Sequence, residues 1–237
     1  MFDDAPDLRA QVVLATKGGI HLGPAHAGRD GLGIPYDSSP AWLVHACEES
    51  LRRLRVDVID LYQIHRPDLL AHPAEVAEAL ASLVEAGKVR HLGVSNHTAS
   101  QVDALRAHLE LPLVSIQPEF SVARLDAIDD GVLDQAMRDG LTPLAWSPLG
   151  GGALVSAQSD DQRMAAVHLL LDELAQRYGT SRTGIALAFV LAHPAGIIPI
   201  VGTGRPERIR EAAAATEVQL SKVDCYRLIA AGGRELP

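Results

Sequence analysis

Cysteine is scarce in this chain. Its 237 residues contain two cysteines, Cys47 and Cys225, and neither belongs to a CxxC pair or to a Cys/His spacing that binds metal. The sequence therefore argues against a disulfide framework and against a zinc site. We expect a protein that stays in the cytoplasm and holds no metal ion.

Other absences each remove a class of protein. No apolar run reaches the roughly 18 residues of a membrane span, and residues 1–6 lack the basic and apolar regions of a signal peptide. Basic residues are not in excess, because 21 Lys and Arg stand against 30 Asp and Glu, a net charge of −9. We expect neither a membrane nor nucleic acid as a partner. Residues 1–237 are long enough, and at 47% hydrophobic apolar enough, for a single domain.

Short β-branched runs are present and alternate with segments whose apolar residues have helical spacing. This alternation is typical of βαβ units on a parallel sheet. Ser39 and Pro40 predict the start of one helix, and Gly87 the end of the next, which covers 73–86. Further helices are predicted at 163–178, at 181–192, near Arg205 and from Ser221. The predicted strands are 11–17, 58–65, 89–96, 113–120, 141–147 and 197–202.

Lys17 and His65 each stand at the end of an apolar strand. The carboxyl ends of the strands meet at one mouth in a parallel barrel, so a cation and an imidazole can share a pocket there. Each residue also has a structural interpretation: a lysine that reaches solvent at the rim, and a histidine satisfied in the core. Strand alternation places His65 and Tyr62 on opposite faces, so they do not face the same pocket.

Three polar side chains also stand within or at the end of predicted strands: Ser95, Asn96 and Gln117. Any one of them could simply connect loops, since buried amides need complete hydrogen bonding. If all three converge on the site of Lys17 and His65, they suit a planar ligand with donors and acceptors, such as a carboxamide.

Two glycine-rich stretches suggest where a larger ligand could bind. Trp146 precedes three consecutive glycines, so its ring could stack on a flat group or belong to the core. The last strand runs into Gly202, Thr203 and Gly204 before a helix that carries Arg208. Barrels often bind phosphate at such a place, although a solvated helix face is the alternative. No GxGxxG follows the first strand, which disfavours a Rossmann fold.

The order of several motifs resembles the aldo-keto reductase family over essentially the whole chain. The stretch from Trp146 through the three glycines is most similar to the bacterial YdhF-like oxidoreductase branch. The motifs are ATKG (15–18), ESLRRL (49–54), DLYQIHRPD (60–68), GKVRHLGVSN (87–96) and WSPLG (146–150).

This resemblance implies a TIM-type (β/α)8 barrel of the α/β class that reduces a small-molecule aldehyde or ketone with NADPH. It matches Lys17 and His65 to two of the four catalytic residues. The residues that it assigns to cofactor binding are Ser95, Asn96, Gln117, Trp146, Ser147, Leu149, Gly151, Gly202, Thr203, Gly204, Arg208 and Glu211.

The resemblance also implies a departure at the front of the chain. The family's catalytic Asp and its proton-donating Tyr belong to the first two βα units, and the sequence begins after them. We therefore expect about six of the eight βα units, unpaired sheet edges that favour self-association, and impaired activity. Tyr36 and Tyr62 are not convincing substitutes for the missing acid.

Two other functions remain open at this stage. One is a non-catalytic NADP(H)-binding sensor or scaffold on the same barrel. The other is a phosphosugar isomerase or lyase, which would turn over without nicotinamide. The sequence does not define the physiological substrate, the preference between NADPH and NADH, or the oligomeric state.

Overall fold

The computed structural model describes residues 6–21, 36–156 and 160–236. Its contacts divide the chain into two compact units, Met1–Val114 and Ser115–Pro237. Within the described ranges, no helix is both long enough and apolar enough to cross a membrane.

The first unit alternates strands and helices. Its strands are parallel and pair in chain order, with Ala15 opposite Leu61 and Ile59 opposite Val89. Parallel strands joined by helices are the βαβ arrangement that the sequence predicts. The elements are α1 (Pro6–Arg9), β1 (Ala15–Gly18), α2 (Pro40–Leu54), β2 (Ile59–Ile64), α3 (Pro73–Glu85), β3 (Val89–Ser95) and α4 (Ala99–Arg106).

The helix boundaries of this unit follow the predicted capping signals. The Ser39 side chain accepts a hydrogen bond from the Trp42 backbone N–H, and Pro40 is the first helical residue. Helix α3 ends one residue before Ala86, and Gly87 then takes a left-handed φ of +69°. Such a cap satisfies backbone groups that the end of a helix leaves unpaired, and glycine adopts it without steric cost.

The second unit also alternates strands and helices, but its strands are shorter. Ser115 lies opposite Thr142, and Leu144 opposite Ile198, again in parallel pairs. The elements are β4 (Leu113–Gln117, whose first two residues are counted with the first unit), α5 (Asp126–Asp129), α6 (Val132–Asp139), β5 (Thr142–Ala145), a 3-10 helix (Gly150–Val155), α7 (Gln162–Tyr178), α8 (Arg182–Leu191), β6 (Ile198–Pro199), α9 (Pro206–Ala214), a second 3-10 helix (Ala215–Glu217) and α10 (Lys222–Ala231).

The core of the second unit forms around two stacked aromatic rings. Phe120 and Phe189 lie 5.7 Å apart between ring centroids, and Leu154, Leu171 and Ile185 are fully buried in the same cluster. Each such side chain contributes about 1.5–3 kcal/mol when it leaves water. This burial fixes α7 and α8 behind the loop that follows β5.

Several predicted strands are longer than the observed ones. The run 11–17 forms a strand only from Ala15, because the Gln11 N–H still bonds to the Leu8 carbonyl and Val13 is 76% exposed. The run 141–147 ends at Ala145, two residues before Ser147 takes a φ of +49°. The run 197–202 shrinks to Ile198–Pro199, where proline has no N–H to donate.

Candidate functional site

A group of polar residues lies at the carboxyl ends of β1, β2 and β3. We call Lys17, His65, Ser95 and Asn96 the strand-end cluster. The His65 backbone N–H donates to the Gly18 carbonyl over 2.8 Å, which continues the pairing of β1 with β2. The Asn96 side-chain amide donates to the His65 carbonyl over 3.2 Å and to Ser95 Oγ over 2.8 Å. The first unit therefore brings together the four residues that the sequence nominates in it.

Asn96 holds this position with an uncommon backbone conformation. Its φ is +59°, in the left-handed region that few residues other than glycine adopt. Asparagine tolerates this region better than most residues because its short side chain can form local hydrogen bonds. The turn after β3 thus directs the Asn96 amide back toward the end of β2.

The electrostatics of the cluster favour a neutral imidazole beside an ammonium. Burial lowers the pKa of His65, and the positive charges of Lys17 and Arg66 lower it further. Burial also lowers the pKa of Lys17. A neutral histidine offers one N–H donor and one acceptor nitrogen, so His65 can donate a hydrogen bond to a carbonyl oxygen near a cation.

Tyr62 lies outside the strand-end cluster, as strand alternation predicts. Its side chain is fully buried, and its hydroxyl donates to the Leu43 carbonyl of α2 over 3.0 Å. Burial raises the pKa of Tyr62. A phenol that is buried against a helix and already donates its proton is not available to a ligand at the strand ends.

The second unit contains a cleft of about 780 Å³, which we call the loop cleft. This volume lies within the usual range of small-molecule and cofactor sites. Among the residues that line the cleft are eight of the predicted cofactor ligands: Trp146, Ser147, Leu149, Gly151, Gly202, Thr203, Arg208 and Glu211. Gln117 and Gly204 are not among them. Gln117 instead ends β4, with 5% of its surface exposed.

The glycines along the loop cleft differ in whether their backbone conformation requires glycine. Gly151 and Gly152 have φ values of +65° and +98° inside the 3-10 helix, although an added Cβ would meet nothing within 4 Å. Backbone conformation therefore selects glycine at both positions. Gly202 has no positive φ, and a Cβ there would also meet nothing within 4 Å. The missing side chain at Gly202 leaves open space in the wall of the cleft.

The amino end of α9 adds positive potential to the cleft. Arg205 precedes the helix without a side-chain cap, and Pro206 is its first residue. The N–H groups of the first turn are thus left for a ligand, and the helix dipole favours an anion. Arg208, in this turn, lines the cleft. The opposite charge of Glu211 is engaged by Ser181, whose hydroxyl donates to it over 2.5 Å.

Two side chains that sequence analysis missed hold the loop of the cleft. His168 of α7 donates from Nε2 to the Ala153 carbonyl over 2.8 Å, since a carbonyl can only accept. Arg182 donates to the Ser156 carbonyl over 2.8 Å and also pairs with Asp172. Both residues stand within helical patterns, so their sequence gives no sign of this role. Their positions become visible only when α7 and α8 pack behind the loop.

The structure does not support a metal centre in the parts that it describes. No group of three or more His, Cys, Asp or Glu side chains in residues 6–21, 36–156 and 160–236 is arranged to hold a metal ion.

Comparisons with known proteins agree along nearly the whole chain. The Aldo/keto reductase family profile matches residues 1–231. A 6-dehydroglucose reductase of Novosphingobium aromaticivorans is 52% identical over 233 residues, or 98% of this chain and 73% of that protein. Oxidoreductase YdhF of Escherichia coli is 35% identical over 98% of this chain and 76% of its own. The crystal structure of the thermostable aldo-keto reductase Tm1743 gives a TM-score of 0.78 at 27% identity, over 94% of this chain and 72% of that one.

Proposed function

Because the chain belongs to the aldo/keto reductase family, with six strands of its barrel fold described, we propose that it reduces an aldehyde or a ketone with NADPH. One observation carries the proposal. Eight residues that the resemblance assigns to cofactor binding, from two stretches of sequence about 50 residues apart, line a single cleft of about 780 Å³. A coincidence of this kind is not expected of an arbitrary surface depression.

The residues of the loop cleft suit a dinucleotide with a phosphorylated ribose. Arg208 and the uncapped amino end of α9 offer charge and N–H donors to a phosphate group. The Trp146 ring can stack on a flat heterocycle, and Gly202 leaves room for close approach. Ser95 and Asn96 of the first unit are proposed ligands of the carboxamide. When bound, NADPH supplies a hydride.

The strand-end cluster is proposed to act on the carbonyl group. The neutral imidazole of His65 donates a hydrogen bond to the carbonyl oxygen, which polarises the double bond and orients it. The Lys17 ammonium stabilises the negative charge that develops on this oxygen. Tyr62 cannot protonate this oxygen because its hydroxyl is buried against Leu43.

The substrate is proposed to be a hydroxylated carbonyl compound. The relative that is 52% identical is named a 6-dehydroglucose reductase. We extend this name to the present chain as a proposal, with 6-dehydroglucose as the first compound to assay. Compounds without hydroxyl groups, such as simple aldehydes, serve as the comparison.

Cofactor titration followed by turnover tests the function. The chain has two tryptophans, Trp42 and Trp146. NADPH should quench the fluorescence of the wild type and of a Trp42→Phe variant, whereas a Trp146→Phe variant should lose most of the quenching. NADPH oxidation should then depend on added 6-dehydroglucose. Binding without oxidation of NADPH by any carbonyl compound would contradict the reductase, and the absence of saturable quenching would contradict the cofactor site.

A further inference from the structure

A turn of two residues, Asn96 and His97, connects β3 to the cap of α4. Strand β3 ends at the buried Ser95, which fixes the start of the turn. Thr98 caps α4: its hydroxyl accepts from the Gln101 N–H, while the Gln101 side chain accepts from the Thr98 N–H. Asn96 belongs to the strand-end cluster, so an interaction that shapes this turn also shapes the cluster.

The His97 ring closes the turn. Its Nδ1 donates to the Ser95 carbonyl over 3.0 Å, since a carbonyl can only accept. Burial lowers the pKa of His97, which favours the neutral ring, and the bond to the carbonyl selects the form with its one proton on Nδ1. The ring lines a cavity of about 210 Å³ together with the apolar side chains of Ile64 and Leu105. The N–H of a largely buried imidazole is thus committed to the backbone of this turn.

Fixing the Ser95 carbonyl also fixes the backbone of Asn96. The Ser95 carbonyl and the Asn96 N–H belong to one planar peptide group, so the two rotate together. The orientation of this group relative to the Asn96 Cα defines the φ of +59°, which is unfavourable for a residue that has a Cβ. The hydrogen bond from His97 therefore helps to hold Asn96 in a conformation that it would not prefer by itself.

The conformation of Asn96 in turn decides what its side chain contacts. Its amide donates to Ser95 Oγ over 2.8 Å and to the His65 carbonyl over 3.2 Å. If the peptide group between Ser95 and Asn96 rotated, the amide would move away from these acceptors. The His97 ring thus influences the strand-end cluster through a single peptide group.

We propose that His97 is a positioning residue for the dinucleotide: its Nδ1–H holds the peptide group between Ser95 and Asn96, so that both side chains are preorganised for the carboxamide. This inference rests on the proposed function, in which Ser95 and Asn96 bind that group. The role of His97 is indirect, because its donor is bonded to the backbone. It belongs to one N–H and not to the bulk of the ring, which a phenylalanine would also provide.

NMR of the ¹⁵N-labelled histidine rings tests the hydrogen bond without any cofactor. At about pH 8 histidine side chains are mostly neutral, and the His97 ring should carry its proton on Nδ1. A proton on Nε2 would leave Nδ1 unable to donate to the Ser95 carbonyl, which would overturn the proposal. This measurement is independent of whether the chain binds a dinucleotide.

Calorimetric titration with two ligands tests the consequence for binding. NADPH contains the carboxamide, whereas 2′-phospho-ADP-ribose lacks the whole nicotinamide ring. His97→Phe removes the donor and should weaken NADPH binding about three- to tenfold, the effect of one hydrogen bond. The affinity for 2′-phospho-ADP-ribose should not change. A loss that is equal for both ligands, as a general structural defect would give, or no loss for NADPH, would overturn the proposal.

Two further variants separate the donor from the shape of the ring. The amide nitrogen of asparagine is as many bonds from Cα as Nδ1 of histidine, whereas the amide nitrogen of glutamine corresponds to Nε2. His97→Asn should therefore bind NADPH within about twofold of the wild type, and His97→Gln should be as weak as His97→Phe. Equal NADPH affinities of the Asn and Gln variants would overturn the proposal.

His91→Phe is the matched control, because His91 is an exposed residue of the same strand. This variant should bind both ligands as the wild type does. If the wild type binds neither ligand, the proposed function fails, and the role of His97 toward the carboxamide fails with it. If the wild type binds NADPH but the His97 variants do not differ as described, only the inference about His97 fails.

Discussion

The two units of this member of the aldo/keto reductase family hold their proposed functional residues in different ways. In the first unit, Lys17 and His65 lie at the ends of paired parallel strands, where the ladder of backbone hydrogen bonds fixes them. In the second unit, the corresponding residues lie on loops that glycines and a helix end shape into a cleft. The residues proposed to act on the carbonyl group thus lie at the ends of strands. The residues proposed to bind the dinucleotide lie on loops, where the backbone is accessible to a ligand.

Each unit also contains a buried carboxylate that ties several segments together. Asp60 in β2 accepts hydrogen bonds from Arg9, Arg90 and the Leu14 N–H. Asp224 in α10 accepts them from Arg177, Tyr178 and Ser221. Asp60 and Asp224 have the same structural role with different hydrogen-bond partners, so they allow a direct comparison of the two units.

The largest effect is expected from Lys17→Met. This change removes the charge that is proposed to stabilise the developing oxyanion, so kcat/KM for the carbonyl compound should fall by about 10²–10³-fold. The affinity for NADPH should be retained, because the proposed phosphate ligands belong to the second unit. Steady-state kinetics and fluorescence titration measure the two quantities. Lys88→Met is the control, since the Lys88 ammonium forms an ion pair with the exposed Glu48. An unchanged kcat/KM in Lys17→Met would remove the proposed role.

Substitution of either buried carboxylate, Asp60 or Asp224, should give the next largest effects, on the free energy of unfolding. Burial alone would raise the pKa of Asp60, but hydrogen bonds from Arg9, Leu14 and Arg90 outweigh it and lower the pKa to about 2. The unfolded value is about 3.9, so the carboxylate stabilises the fold above about pH 5 and loses this effect as the pH falls toward 2. Asp60→Asn should cost about 2 kcal/mol of unfolding free energy at pH 7 in urea melts.

Asp224→Asn sharpens the same comparison in the second unit. Burial would raise the pKa of Asp224, whereas hydrogen bonds from Ser221, Tyr178 and Arg227 lower it to about 2. We expect a cost of about 2 kcal/mol for this variant also, and a weaker acid dependence than in the wild type. If the unfolding free energy of either variant depended on pH as that of the wild type does, the carboxylate replaced in that variant would not have the lowered pKa.

A moderate effect is expected from Arg208→Met in the loop cleft. Loss of a charged hydrogen bond to a phosphate should weaken NADPH binding by about tenfold. NADH lacks that phosphate, so its affinity should change little. Fluorescence titration with both dinucleotides measures the difference. An equal loss for NADPH and NADH would assign Arg208 a role other than recognition of the phosphate.

The smallest effects separate the two kinds of glycine. Gly151→Ala places a side chain at a φ of +65° and should lower the unfolding free energy by about 1 kcal/mol. Gly202→Ala has neither a positive φ nor a close neighbour, so its stability should equal that of the wild type while NADPH binding weakens. Thermal melts and titration compare the two. Normal NADPH affinity in Gly202→Ala would mean that the ligand does not approach this wall.

Local sequence predicted the helix starts well because capping is a short-range interaction. Ser39, Ser181 and Ser221 each cap the helix that follows through their own hydroxyl groups. Strand lengths were predicted less well. A strand ends where the neighbouring strand no longer pairs with it, and that neighbour is distant in sequence. The run 197–202 keeps its apolar pattern beyond Pro199 but has only two residues in the ladder with β5.

The site shows the same division. Lys17 and His65 could be found from their place at strand ends, and the glycine-rich loops from their composition. His168 could not be found, because its bond to the Ala153 carbonyl spans 15 residues and depends on how α7 packs.

The sequence by itself determined the alternation of strands and helices, the family, and the residue types that the proposed chemistry needs. These depend on periodicity, capping and short motifs, which act over a few residues. Only the tertiary structure decided that eight candidate ligands line one cleft and that the Tyr62 hydroxyl donates to the Leu43 carbonyl. The reason is that burial and pairing depend on segments distant along the chain, whose contacts form only when the helices pack on the strands.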